Sequence, residues 1–169
     1  AADRVIVVAA RGQPLPPLAD RVEVIRDQYP FAGPSAAIHA GLVHAGVGPA
    51  LAILAACDIP RLEPAVVQLL VAAARAPGVR WAVPVVGGHP QVLVSAVSTD
   101  MRPTFAAATA AGQASPRALL AALASSDPPA VRWIPEAVLA AIDPTLASFA
   151  DIDAAEDLGR LPGSRKPPS

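Results

Sequence analysis

The stretch Ala50–Cys57, Ala-Leu-Ala-Ile-Leu-Ala-Ala-Cys, is apolar at every position, with Gly46, Gly48 and Pro49 just before it and Asp58-Ile59-Pro60 directly after. A short run with no polar alternation is the pattern of a strand covered on both faces, which places it in a parallel sheet between helices. Its alanines leave a helix as the rival reading. The Gly-Pro before it and the Asp-Ile-Pro after it bound the run at strand length, so strand is preferred. It is too short to span a bilayer.

Around this run the pattern alternates. Val5–Ala10 is β-branched and apolar, and the Arg-Gly-Gln-Pro-Leu-Pro-Pro that follows cannot continue a strand. Val22–Arg26 alternates as a second strand, and after a loop at 28–32 Gly33-Pro34-Ser35 opens a helix with a small-residue face at Ala36, Ala37, Ala40 and Gly41. Glu63–Ala76 carries Val66, Leu69, Leu70 and Ala73 at helical spacing. Arg80–Val86 and Val92–Val97 read as strands joined through a Gly87-Gly88 turn. Thr104–Ala111 and Pro116–Ala124 read as helices, the second with Ser115 as cap and Pro116 at its first position. A short strand at Val131–Ile134 and a helix from Asp153 to Leu158 complete the order, and 163–169 is a Pro-rich tail expected to be disordered. The alternation predicts one α/β domain over 1–162, a layered sheet that is mostly parallel.

Composition narrows the function classes. Of 169 residues, 53% are hydrophobic but only 4% aromatic, so the core must be built mostly from Ala, Val, Leu and Ile. A formal net charge of −1, with no basic stripe interleaved with aromatics, argues against nucleic acid or an anionic membrane as partner. One cysteine, Cys57, allows no internal disulfide, and the first residues have no signal-peptide layout; a soluble cytoplasmic protein is expected.

Two carboxylates stand where strands end, Asp27 after Val22–Arg26 and Asp58 after Ala50–Cys57. Ligands of open α/β sheets bind beyond such ends. Asp58 could hold Mg²⁺, which takes one or two carboxylates together with phosphate oxygens and waters; the alternative is a cap for the next helix. The backbone at Gly33 could receive an anion, or it is ordinary loop punctuation. The loop Gly87-Gly88-His89-Pro90-Gln91 reads first as a hairpin connection. The cluster Asp151, Asp153, Glu156, Asp157 reads as a solvated helix start. His39 and His44 are five apart, not the four that shares a helix face, so a zinc site has no support. No Ser/His/Asp or Cys/His constellation is legible, and Cys57, at the end of an apolar run, is expected to be inert.

Together these segments resemble the molybdenum cofactor guanylyltransferase family, which joins GMP from GTP to molybdopterin and releases pyrophosphate. Val5–Gln13 is similar to that family's second strand and loop, and Val24–Asp27 followed by Gly33–Ile38 to its acidic residue and Gly-Pro-x-Ala-Gly-Ile. Ala-Ala-Cys-Asp-Ile-Pro, Ala55–Pro60, resembles the Ala-Cys-Asp-Met-Pro metal segment and is the most specific piece. Gly87–Leu93 resembles the loop and strand before the second half, and Phe149–Leu158 the closing Phe-x-Asn-x-Asn-Thr-Pro-Glu-Asp-Leu. The resemblance implies a Rossmann-like three-layer sandwich. It implies Mg²⁺ and triphosphate at Asp58, nucleotide at Asp27 and Gly33, guanosine near the Val8 backbone, and the pterin acceptor near His89, Gln91, Asp151 and Asp153. GTP and molybdopterin would be the small-molecule partners, with transient contact to molybdoenzyme maturation proteins.

The departures are definite. The family opens on a strand and the loop Leu-Ala-Gly-Gly-x-Ser-x-Arg-Met-Gly-x-Asp-Lys; nothing like it is present, and the one lysine is Lys166. Roughly forty to fifty residues of a typical member, including its first strand, are therefore expected to be missing. Asp151 and Asp153 replace two asparagines, adding negative charge on the acceptor side. A related transfer with another base or acceptor, and a non-catalytic nucleotide-binding paralogue, are the alternatives.

Overall fold

In a computed structural model, residues 4–27, 33–46, 48, 50–113 and 115–150 are described. The elements run β1 (Val5–Ala9), β2 (Val22–Arg26), α1 (Pro34–Ala45), β3 (Leu51–Ala55), α2 (Pro64–Ala74), β4 (Trp81–Val86), β5 (His89–Pro90), β6 (Val94–Ser98), α3 (Arg102–Ala110), α4 (Pro116–Ser126), β7 (Val131–Ile134) and α5 (Glu136–Ala140). The expected Asp153–Leu158 helix and the 163–169 tail lie outside the described residues.

The strands form two sheets. β1 and β2 pair in parallel, with Val8 opposite Ile25 and Ala9 opposite Arg26. The larger sheet has the order β3-β6-β4, with β7 parallel to β4 and β5 a short hairpin return on β4. β6 is antiparallel to both β3 and β4, so β3, β4 and β7 share one direction and β6 alone among the long strands opposes them. The Gly87-Gly88 turn has φ of 56° and 77°. Two successive positive values are what a tight two-residue hairpin demands, and glycine meets them without strain.

The two-residue strand period divides the larger sheet's side chains between two cores. Trp81 and Val83 of β4, Val97 of β6 and Val131 of β7 face one side, where they meet Ile38 and Leu42 of α1, Phe105 of α3 and Leu120 and Leu123 of α4. Ala82, Val94, Ala96 and Ile134 face the other, against Val66, Leu70 and Ala74 of α2 and Leu139 of α5. The result is a helix–sheet–helix sandwich. Trp81 lies tilted on Phe105, centroids 5.5 Å apart, and its indole N–H donates to Ser95 Oγ at 2.9 Å, which donates in turn to the Val92 carbonyl. Such a chain leaves no polar atom of the ring unpaired in the core.

α1 ties the two sheets together. Ile38 and Leu42 enter the larger core, while Gly41 lies against β1; a Cβ there would meet Val8 Cγ2 at 3.5 Å. At the start of β1, Arg4 Nε and Nη2 donate to both Glu23 carboxylate oxygens at 2.7 Å, and its Nη1 donates to the Ala45 carbonyl at the end of α1.

Three expectations are corrected. The larger sheet is not mostly parallel: β6 runs against both of its neighbours, so β3 pairs only antiparallel among the described residues, and in that sheet only β4 with β7 is parallel. β3 packs both faces, Ala52 and Leu54 on one core and Leu51 and Ile53 on the other, yet it is half-buried rather than buried. Among the described residues it pairs on one side only, with β6, and the open edge explains the exposure. Cys57 is exposed, not buried, because the strand stops at Ala55 and the thiol falls in the following turn.

Candidate nucleotide site

β3 delivers Asp58 to the surface. The strand's last neighbour bond is Ala56 N–H to the Leu93 carbonyl at 2.9 Å, after which Cys57 and Asp58 turn outward and Asp58 is exposed. Asp58 does not cap α2: the cap position is Glu63, whose side chain makes no cap bond. Nor does any described residue hydrogen-bond or pair with Asp58. An exposed carboxylate with no described partner fits a hard divalent cation that keeps most of its waters. Among the described residues no three His, Cys, Asp or Glu gather into a metal cluster, so a cation here would rely on one carboxylate plus its substrate's oxygens.

The segment after Asp58 is fixed from below. The Glu63 N–H donates to Ser148 Oγ at 2.9 Å, and that hydroxyl lies 3.4 Å from the Arg61 carbonyl. Ser148 and Ala147 in turn donate their N–H groups to the Asp143 carboxylate at 2.9 and 3.2 Å. Burial alone pushes the Asp143 carboxyl up, but the bonds from Ser148, Ala147 and Thr145 outweigh it and hold the group below its ordinary value. Sequence reading passed over this pair: an Asp before Pro144 looks like any turn residue, and only the fold brings Ser148 under the start of α2.

Asp27 stands at the end of β2, its N–H donating to the Ala9 carbonyl at 2.8 Å. With Arg11, Ile25 and Arg26 it lines a cavity of about 630 Å³ beyond the carboxyl ends of the two parallel strands. Ala10–Gln13 is a turn closed by Gln13 N–H to Ala10 O at 3.1 Å, with Gly12 at φ 78° in its third position. That is a type II turn, which requires the positive φ glycine accepts. Arg26 Nη1 clamps it, donating to the Ala10 and Gln13 carbonyls at 3.1 and 2.7 Å. Arg11 sits at the apex of this clamped turn.

The other expected positions fall in two places. Val8, half-buried, lies between Ile25 and α1, and Gly33 is the residue before α1, which has no side-chain cap on its first N–H groups. His89 is exposed in β5, and Gln91 holds its loop with Nε2 on the His89 carbonyl at 3.2 Å and its N–H on the Pro84 carbonyl at 2.8 Å. Glu136 at the start of α5 accepts the Gly87 N–H at 2.6 Å, pinning the same loop. Asp151 and Asp153 lie outside the described residues. Among the described residues no helix is long and apolar enough to cross a membrane.

Comparison with known proteins identifies the family and the fold. The sequence profile of the MobA-like NTP transferase domain matches residues 1–128. The crystal structure of molybdopterin-guanine dinucleotide biosynthesis protein A from Archaeoglobus fulgidus superposes with a TM-score of 0.67 at 27% identity, covering 82% of this chain and 65% of that one. A protein of Aquifex aeolicus VF5 superposes with a TM-score of 0.60 at 13% identity, over 79% of this chain and 63% of its own, which speaks for the fold alone. The chain thus spans just under two thirds of the length of these solved relatives. No curated protein sequence matches it.

Proposed function

We propose, on the premise that this chain belongs to the MobA-like NTP transferase family, that it serves the Mg²⁺-dependent transfer of GMP from GTP to molybdopterin. The observation that carries the reading is Asp58, a carboxylate at the end of an apolar strand, exposed, without a partner among the described residues and not used as a cap. Support for the acceptor comes from the Archaeoglobus fulgidus relative, whose name is that of a molybdopterin-guanine dinucleotide biosynthesis protein.

In this reaction a phosphate oxygen of molybdopterin attacks the α-phosphorus of GTP. A new P–O bond forms, the bond from the α-phosphorus to the bridging oxygen breaks, and pyrophosphate leaves with the electron pair. Bound Mg²⁺ would supply charge neutralisation for the triphosphate and the departing pyrophosphate. The chain's own part is positioning. Asp58 holds the cation and phosphates, Asp27, Gly33 and the Val8 backbone hold the nucleoside, and His89 and Gln91, with Asp151 and Asp153, face the acceptor. Ser148 and Asp143 keep the segment behind Asp58 in place. A cytoplasmic setting, where GTP is at hand, goes with this role, as does passing contact with molybdoenzyme maturation proteins.

The test is Asp58→Ala in the full-length protein, assayed for pyrophosphate release with Mg²⁺, GTP and molybdopterin. Loss of at least about 100-fold in turnover is expected, on the scale of other charge-stabilising groups, with an unchanged circular dichroism spectrum. Unchanged turnover would remove Asp58 from the site. CTP outperforming GTP in the wild type would keep the transferase and replace its base.

A further inference from the structure

We propose that Arg11 is the residue that reads the base, its guanidinium donating to O6 and N7 of a guanine lodged in the cavity at the ends of β1 and β2. The inference rests on the guanylyl reading above and deepens it, since nothing in that reading assigns Arg11 a role.

Three observations converge. The cavity, about 630 Å³ and widely open to solvent, has Ile25 in its lining to offer an aliphatic surface to a ring. Two cations line it, and Arg26 already spends its Nη1 on the Ala10 and Gln13 carbonyls. Arg11 has no hydrogen bond and no ion pair with any described residue. Its backbone is nevertheless rigid, held at the apex of the Gly12 turn by the Gln13 N–H, by Gln13 Oε1 on the Ala10 N–H at 3.0 Å, and by Arg26. A clamped turn that presents an uncommitted guanidinium to a cavity is preorganised for a ligand, because little ordering remains to be done on binding.

The chemistry selects the base. A guanidinium offers parallel N–H donors in a fixed fork. Guanine alone among the common bases presents two adjacent acceptors, O6 and N7, on one edge; adenine sets an amino donor beside N7, and cytosine has an amino group in the corresponding position. Arg11 would therefore favour guanine and be opposed by adenine.

The experiment is a binding cycle on the chain as it stands. GMP, 7-deaza-GMP and AMP are titrated by calorimetry into wild type, Arg11→Ala and Arg11→Lys. Monophosphates keep the metal and triphosphate out of the comparison. Wild type should bind GMP about 10- to 100-fold more tightly than AMP, the span of one bidentate base contact. It should lose several-fold on 7-deaza-GMP, which lacks the N7 acceptor. Arg11→Ala should weaken GMP by a similar factor and become indifferent to the 7-deaza change, the coupling that marks a direct contact. Arg11→Lys, with no fork, should recover only part of the loss. A wild type that binds GMP no better than AMP overturns the guanylyl reading itself. A wild type that prefers GMP while Arg11→Ala keeps both that preference and the 7-deaza sensitivity overturns the role of Arg11 and leaves the reading standing. Equal weakening of all three ligands in Arg11→Ala places Arg11 on the phosphate and also overturns it. Arg11 is exposed and its side chain is bonded to no described residue, so its variants should fold as wild type does.

Discussion

The two sheets of this molecule are built on opposite terms. In β4 the residues from Trp81 to Val83 are wholly buried, whereas in β1 and β2 only Ala9 is buried, and Val5 and Val24 stand 39% and 41% exposed. The larger sheet is held by side chains on both faces. The smaller is held by its own ladder, by α1, and by the surface link of Arg4 to Glu23. A pair of strands is marginal on its own. Yet the cavity with Arg11 and Asp27 lies on the sparser sheet, while Asp58 projects from the edge of the denser one. The cavity proposed for the nucleoside thus lies on the more sparsely packed sheet, where binding loops are commonly found, although the turn that carries Arg11 is held by hydrogen bonds of its own.

Substitutions can break that contrast. Phe105→Ala removes a fully buried ring from the face of Trp81. It should cost about 3–5 kcal/mol in denaturant unfolding, whereas Val24→Ala should stay within about 0.5 kcal/mol. Similar losses from both would mean that the two sheets share one core after all. Asp143→Ala comes next: it strips the acceptor from the buried N–H of Ser148 and from that of Ala147, a loss of about 1–3 kcal/mol. Because the folded Asp143 carboxyl lies below its ordinary value, its contribution is complete above that ordinary value and disappears as pH falls through the depressed one. Wild type should therefore lose stability at acid pH by a step that the variant lacks, measured by urea midpoints across pH.

The smallest effect belongs to Glu23. Hydrogen bonds from Arg4, and then from His44, draw its carboxyl down to about 2. Its contribution is present above the usual Glu range and lost as pH drops through about 2. The link is solvent-exposed, so Glu23→Gln should barely move the unfolding midpoint. What it should change is amide exchange in β1 and β2, which should quicken relative to β4. Equal exchange in wild type and variant would show that α1 alone secures the smaller sheet.

Much of this architecture was legible because local signals agreed. Val22–Arg26 and Val131–Ile134 fall on strands β2 and β7 with no shift in boundary, and Ser115 caps α4 by accepting the Ala118 N–H. The half-exposure of β3 was not legible, because an apolar run announces two covered faces but says nothing of a free edge. α5 escaped notice since Glu136–Ala140 is five residues long, too short for a helical period to register. In the site, Asp27 and Asp58 could be picked out as carboxylates at strand ends. Arg11, proposed above as the base reader, could not, because the argument for it depends on what Arg26 is already doing, and that is a relation between one side chain and acceptors sixteen and thirteen residues away.

The placement of the two tryptophans has a practical outcome. Trp81 is shielded completely and Trp133 is 41% open, and both belong to neighbouring strands of the larger sheet. Intrinsic fluorescence will therefore give a blue emitter that iodide cannot quench and a redder one that it can, both reporting on the same half of the protein. Residues 4–27 contain no Trp, Tyr or Phe. Strands β1 and β2 are therefore spectroscopically dark, so a melt followed by emission alone would miss their loosening, and a fluorophore placed on that side would be required to see it.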